Sequence, residues 1–170
     1  PLRKLKKGYT GLEVSRSPKS YISESFRSIR TNMQFMGLKG DKNVISVTST
    51  VSAEGKTFVI SNLAYIIALS GKKVVMVDVD LRLPKVHQNF DIENLEKGLS
   101  TYLIGEYKLE ECIREVGIKN LDVITAGPVP PNPAELIASK NFGKMLDQLK
   151  EKGEFEAILE AIELISPKDS

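Results

Sequence analysis

Three adjacent residues carry the clearest chemistry in the chain: Gly55-Lys56-Thr57 sets a glycine, an ammonium and a hydroxyl side by side. A polyphosphate needs converging backbone N–H donors, and the start of a helix supplies them together with a favourable dipole. Gly55 permits close approach of the backbone. Lys56 would place its charge on β and γ phosphates, and Thr57 would offer its hydroxyl to Mg²⁺. The full phosphate-loop pattern is G-x-x-x-x-G-K-[ST]. Here the stretch reads Thr50-Val51-Ser52-Ala53-Glu54-Gly55-Lys56-Thr57, with Thr50 in place of the first glycine. A strand before and a helix after the tripeptide give it the context that the pattern requires. The competing reading is a solvent-facing turn with Lys56 merely exposed.

A second group follows at Asp78-Val79-Asp80-Leu81-Arg82, directly after the apolar run Val74-Val75-Met76-Val77. Carboxylates at the end of a buried strand are costly unless paired, exposed or metal-bound. In an open α/β sheet that end is where ligands bind. If this strand neighbours the one before the loop, Asp78 and Asp80 lie beside the phosphates. They could hold Mg²⁺ or accept a proton from an attacking hydroxyl. Alternatively the two acids only end the strand and cap the next turn.

The elements that would position these groups alternate. Residues 22–36 predict a helix with an apolar stripe of Ile22, Phe26, Ile29, Met33 and Met36, away from which Glu24, Arg27 and Arg30 fall. Residues 44–48 suit a buried parallel strand, 56–70 a helix closed by Gly71, and 73–78 a strand. Residues 98–104 and 108–116 look helical, 121–125 reads as a third strand, and 126–133 as a stiff turn. Pro133 suits the first position of a helix capped by Asn132. The fold class is therefore α/β: a mostly parallel sheet with helices on both faces. Residues 1–19 read as an irregular basic arm carrying Arg3, Lys4, Lys6 and Lys7, and 20–170 as the folded domain. The arm is either a solvated tail or a contact for anionic lipid or an acidic partner.

Composition excludes several classes. The chain has 170 residues, 41% apolar and 27% charged, with a formal net charge of +2. That is enough for one core and shows no strong polyanion footprint, so no nucleic-acid partner is expected. The single cysteine, Cys112, rules out an internal disulfide and is expected to pack. The single histidine, His87, suits a surface or capping role, and no apolar run approaches membrane-spanning length. Pro1 in place of methionine reads as a processed or excised chain.

Four stretches together resemble the bacterial tyrosine kinases of capsule and exopolysaccharide synthesis, relatives of the MinD/ParA ATPases within the P-loop fold. They are Glu24-Ser25-Phe26-Arg27-Ser28-Ile29-Arg30, the loop from Thr48-Ser49 to Gly55-Lys56-Thr57, Val75 to Arg82, and Ala126-Gly127-Pro128-Val129-Pro130-Pro131-Asn132-Pro133-Ala134-Glu135-Leu136. The resemblance runs from about Pro18 to Phe155 in the family's order. It implies ATP and Mg²⁺ as cofactors and an autophosphorylating enzyme acting on protein tyrosines. By it, Ser52, Ala53, Glu54, Gly55, Lys56, Thr57, Phe58 and Arg82 bind nucleotide. Thr57, Asp78 and Asp80 hold the metal. Asp78, Lys56 and Asp80 carry catalysis, with Asp78 as candidate base. Glu24, Arg27 and Arg30 join protomers in a ring, although Glu24 and Arg27 could simply pair with each other. The partner it implies is a membrane-embedded activator, the polysaccharide co-polymerase, which places the domain at the inner face of the plasma membrane.

The chain departs from the family in three places. Ala53 stands where family members carry glycine. No Asp-Thr-Pro-Pro follows residue 152, where 153–165 fits either a strand from Phe155 or a helix. The ending at Ser170 lacks the family's further strands and tyrosine-rich tail, so the C-terminal part reads as truncated or altered. Glu154, Glu156, Glu160 and Glu163 rule out use of that ending as a lipid-binding helix. Two other functions stay open: a MinD/ParA-type switch without tyrosine kinase activity, and an inactive oligomerisation or nucleotide-binding module.

Overall fold

The computed structural model describes residues 11–35, 43–49, 55–151, 155 and 157–163. Leu12 and Val14 flank the start of α1 (Glu13–Arg16), and both are buried in the core. The expected boundary at residue 19 therefore falls too late, because the chain is packed into the body from Gly11 on. Asn62 fastens this segment: its side chain accepts from Val14 N at 3.0 Å and donates to Gly11 O at 2.9 Å and Phe58 O at 2.8 Å. The basic residues 3–7 lie outside the described residues.

Helix α2 (Tyr21–Phe35) forms where the stripe predicts it. Its contact with the body is narrower than the stripe. Phe26 is buried and Met33 packs on the core, but Ile22 and Ile29 are each over two-fifths exposed. Met36 lies outside the described residues.

Strand β1 (Asn43–Ser49) precedes the loop, and α3 (Lys56–Leu69) follows it. Helix α3 is apolar nearly all round and is covered accordingly, as expected for a crossover helix. Gly71, at φ +95°, closes it in the left-handed conformation that favours glycine. Then come β2 (Val74–Asp78), α4 (Val86–Asn89), α5 (Leu99–Leu103) and α6 (Leu109–Cys112). The helix expected over 108–116 stops at Cys112: Ile113 is extended, and Arg114–Glu115 form strand β3. Strand β4 (Leu121–Ile124), α7 (Pro133–Ile137), α8 (Lys140–Glu151) and β5 (Ala157–Glu163) complete the described chain. Pro133 opens α7 as expected, but Asn132 makes no capping bond; its amide donates to Glu135 Oε2 at 2.9 Å.

The sheet order is β1-β5-β2-β4-β3, parallel throughout except for the antiparallel β3. The strands before the loop and before Asp78 are thus not neighbours, because β5 lies between them. This position settles the ambiguity of residues 153–165: pairing on both sides makes 157–163 a strand, whatever its periodicity. Strand β1 is correspondingly less buried than expected, with Ser46 and Thr48 exposed.

The pleat of β2 divides the core. Val74 and Met76 face Ile60, Ala64 and Ile67 of α3, together with Leu12, Val14 and Phe26. Val75 and Val77 face Leu99, Leu103, Cys112, Met145 and Leu149. Each fully buried aliphatic side chain contributes roughly 1.5–3 kcal/mol. Two apolar layers enclosing one sheet fix the carboxyl ends of β1, β5 and β2 relative to α3.

Candidate active site

Gly55 initiates α3 at φ +93°, ψ +16°, in the left-handed region, and a side chain there would meet nothing within 4 Å among the described residues. The backbone conformation is thus the reason for glycine. Lys56, the first residue of the helix, is only 9% exposed. The expectation of an idle, solvent-facing lysine fails on that burial. Thr57 is half-buried and Phe58 partly exposed, its ring 6.0 Å from that of Phe26. Ser52, Ala53 and Glu54 lie outside the described residues.

Asp78 ends β2 and is 1% exposed. Asp80 N donates to its Oδ1 and Val86 N to its Oδ2, each at 3.2 Å. These two amides orient the carboxyl group, and each oxygen keeps a further lone pair. Burial pushes its pKa up to about 7, and the Asp80 charge pushes the same way, against the amide bonds of Val86 and Asp80. Asp80 is half-buried and accepts from Leu83 N at 3.0 Å and Arg82 N at 3.3 Å. It therefore does cap the turn that follows the strand. Arg82 is exposed.

Asp78 is in register with Ala161 of β5, and Ala161 with Val47 of β1. Two strand spacings, about 10 Å, separate Asp78 from the end of β1. The acids and the phosphate-loop residues thus share the carboxyl edge of the sheet, although β5 intervenes. The site fits a nucleotide and a divalent ion: it offers a left-handed glycine, a buried ammonium at a helix start and two carboxylates. Among the described residues no group of three or more His, Cys, Asp and Glu could hold a metal without such help. Substrate phosphates commonly complete a Mg²⁺ shell built on one or two carboxylates.

The ring-forming triple lies on α2. Glu24 and Arg27 pair within the helix, and Arg27 Nη2 also donates to Pro18 O at 2.8 Å. Arg30 Nε is buried with no hydrogen-bond partner among the described residues. His87 is half-buried on α4, and burial lowers its pKa. Cys112 is fully buried, and burial pushes its thiol up to about 11, as befits a packing residue.

The AAA domain family matches residues 42–163. CapB of Staphylococcus aureus, provisionally named a tyrosine-protein kinase, is 39% identical over 157 residues, 92% of this chain and 68% of CapB. The chain belongs to the bacterial tyrosine kinases of the capsule and exopolysaccharide type. The crystal structure of the chimerical protein CapA2B2 superposes with a TM-score of 0.82 at 33% identity, over 94% of this chain and 69% of that chain, and the kinase domain of Escherichia coli tyrosine kinase ETK with 0.83 at 33% identity, over 93% of this chain and 61% of that domain. MinD of Pyrococcus horikoshii, complexed with Mg-ADP, gives 0.63 at 25% identity over 74% of this chain and 51% of its own. These kinases and MinD share the P-loop architecture seen here. The chain spans only part of each relative's length.

Sequence reasoning missed one determinant of the site and left a second undecided. Asn62 is a polar residue in an otherwise apolar helix face, and that mismatch is the signal that could have found it. The intervening strand β5 fitted strand and helix alike in the sequence, because its pairing is entirely long-range.

Proposed function

We propose that this chain transfers the γ-phosphate of ATP to protein tyrosines, including its own. The observation that carries the reading is Asp78: a carboxyl group at the carboxyl edge of the sheet, oriented by two amides and raised to about 7, is poised to take up a proton near neutrality. The tyrosine oxygen attacks the γ-phosphorus as ADP leaves, and Asp78 accepts the hydroxyl proton. Lys56 offsets the charge on the β and γ phosphates, and the helix start donates N–H groups to them. Residues 52–58 and Arg82 line the nucleotide. Thr57, Asp78 and Asp80 are the metal-facing set; bound Mg²⁺ supplies charge neutralisation. Protomers join through Glu24, Arg27 and Arg30, and a membrane-embedded activator brings the domain to the inner face of the membrane, where it serves capsular or exopolysaccharide synthesis.

Calorimetry tests the nucleotide site. Mg-ATP should bind the parent chain and bind Lys56→Ala at least about tenfold more weakly, equivalent to about 1.4 kcal/mol. A folded parent that binds no Mg-ATP would sink the assignment.

One feature favours a second reading, a nucleotide-binding assembly module without transfer. The central strand β5 ends Ala161-Ile162-Glu163, where the family carries Asp-Thr-Pro-Pro. Binding of Mg-ATP without phosphate transfer to any tyrosine would select that reading.

A further inference from the structure

Among the described residues the buried serine and threonine side chains are Ser23, Ser61, Ser100, Thr101 and Thr125. Ser23 Oγ donates to Ser17 O at 2.6 Å, Ser100 Oγ to Pro128 O at 2.7 Å and Thr101 Oγ1 to Glu96 O at 3.1 Å, while Ser61 Oγ accepts from Asn89 Nδ2 at 3.0 Å. Thr125 is the exception: it is 1% exposed, and its Oγ1 has no hydrogen-bond partner among the described residues. A buried hydroxyl without a partner has given up its hydration for nothing, and valine would fill nearly the same space without that cost. The packing around Thr125 therefore gives no reason for its hydroxyl.

Its place in the sheet does. The parallel register runs from Val74 beside Leu121 to Val77 beside Ile124, so the next pair along β2 and β4 is Asp78 and Thr125, one strand spacing or about 5 Å apart. The pleat turns both side chains to one face. Val74 and Met76 pack with Leu121 and Val123 on the α3 side, whereas Val75 and Val77 pack with Ile124 and Ala126 on the other. The backbone of Thr125 is fixed there, its carbonyl accepting from Leu99 N at 2.7 Å. Asp78, for its part, is held by two amides at 3.2 Å, the long end of the normal range, and each of its oxygens keeps a lone pair. A donor that lacks an acceptor is set beside an acceptor with room for another donor.

We propose that Thr125 is a positioning residue for Asp78: its hydroxyl donates to the Asp78 carboxylate once nucleotide and tyrosine occupy the site, and so holds the oxygen that takes the tyrosine proton. This rests on the kinase reading above. Two long bonds leave the carboxyl plane loosely set, and a third donor from the neighbouring strand fixes it. Thr125 is too deeply buried to meet the substrate, so its effect passes through Asp78 alone. A hydroxyl kept for this purpose is a burden on the resting fold and a gain only in the reacting site. Stability and catalysis should therefore respond in opposite directions when it is removed.

The test compares Thr125→Val and Thr125→Ser with the parent chain by thermal unfolding, Mg-ATP calorimetry and steady-state phosphate transfer to a Glu/Tyr copolymer. Thr125→Val should melt no lower than the parent and bind Mg-ATP equally well. Its kcat for the copolymer should fall roughly tenfold to a hundredfold with KM unchanged, the mark of an interaction made only in the transition state. Thr125→Ser keeps the hydroxyl and should recover most of that rate. Transfer by Thr125→Val at the parent's rate overturns the proposal and leaves the kinase reading standing. So does a Thr125→Ser chain as slow as Thr125→Val, since the loss then lies in local packing. A Thr125→Val chain that melts well below the parent means that the hydroxyl serves the fold, and weaker Mg-ATP binding or a raised KM alone means that it serves binding; each overturns the proposal too. A folded parent that labels no copolymer overturns both this proposal and the kinase reading.

Discussion

Asp78 shows how a residue can be costly to the fold and useful to the chemistry. Its carboxyl ionises near pH 7 in the folded chain, against an ordinary value of 3.8. Between those values the native state keeps a proton that the unfolded state has lost. Stability therefore falls as pH rises through this window, and the full cost of the buried charge is present above about pH 7. Asp78→Asn removes the titration. Its loss of stability between pH 5 and pH 8, measured by thermal unfolding without Mg²⁺, should be smaller than the parent's, while phosphate transfer is abolished. An unchanged pH dependence would mean that Asp78 is not the titrating group. The Asp and Lys of this site were legible in the sequence because residue type states the chemistry: an ammonium after glycine, and carboxylates after an apolar run. The partners of those groups were not. That Val86 N reaches Asp78, eight residues away, follows from the path of the turn and from no local pattern.

Close approach between backbones sets the elements on the second face of the sheet. The start of α5 is tied to the segment after β4, with Leu99 N donating to Thr125 O at 2.7 Å and Ser100 N to Ala126 O at 2.9 Å. A Cβ on Gly98 would fall 2.4 Å from Gly127 N and 2.7 Å from Thr125 O, and neither backbone atom can move independently of the tie. Gly98→Ala should thus cost about 1–3 kcal/mol by overpacking. Gly143→Ala is the control: it lies within α8 with nothing among the described residues in 4 Å of its Cβ position, and should gain about 0.5–1 kcal/mol. Urea unfolding of the two variants checks the contrast, and equal effects would defeat it. The same distinction explains which elements were readable. Helices α2 and α3 and strands β1, β2 and β4 announce themselves through periodicity and capping over their own length. Strand β3 and the identity of β5 do not, because two residues beside β4 and seven between β1 and β2 are strand only by virtue of their neighbours.

At the scale of the molecule, α2 leaves surface that its own body does not use. Ile22 and Ile29 belong to the predicted apolar stripe but remain exposed beside Tyr21, and Phe35 at the helix end is 80% exposed. The charged triple shares this helix. Within one protomer it does little for stability: Glu24 is well exposed, and an ion pair of this kind contributes about 0–1 kcal/mol. Arg30 Nε gains no hydrogen bond at all among the described residues. Residues that serve the monomer so weakly, set beside uncovered apolar side chains, suit the contact with another copy proposed above. The combined variant Glu24→Ala, Arg27→Ala, Arg30→Ala separates the two roles. If the triple joins protomers, the variant sediments as a monomer at concentrations where the parent assembles, and its melting temperature falls by no more than about 2–4 °C, the shift expected for about 1 kcal/mol in a domain of this size. If the triple is only a solvated helix face, assembly persists in the variant. A variant that both dissociates and melts far lower would mean that the contacts serve the fold of α2 itself. Binding of Mg-ATP, measured on the same samples, should be unchanged in the first two cases, since the loop and the acids sit on β1, α3 and β2 and not on α2.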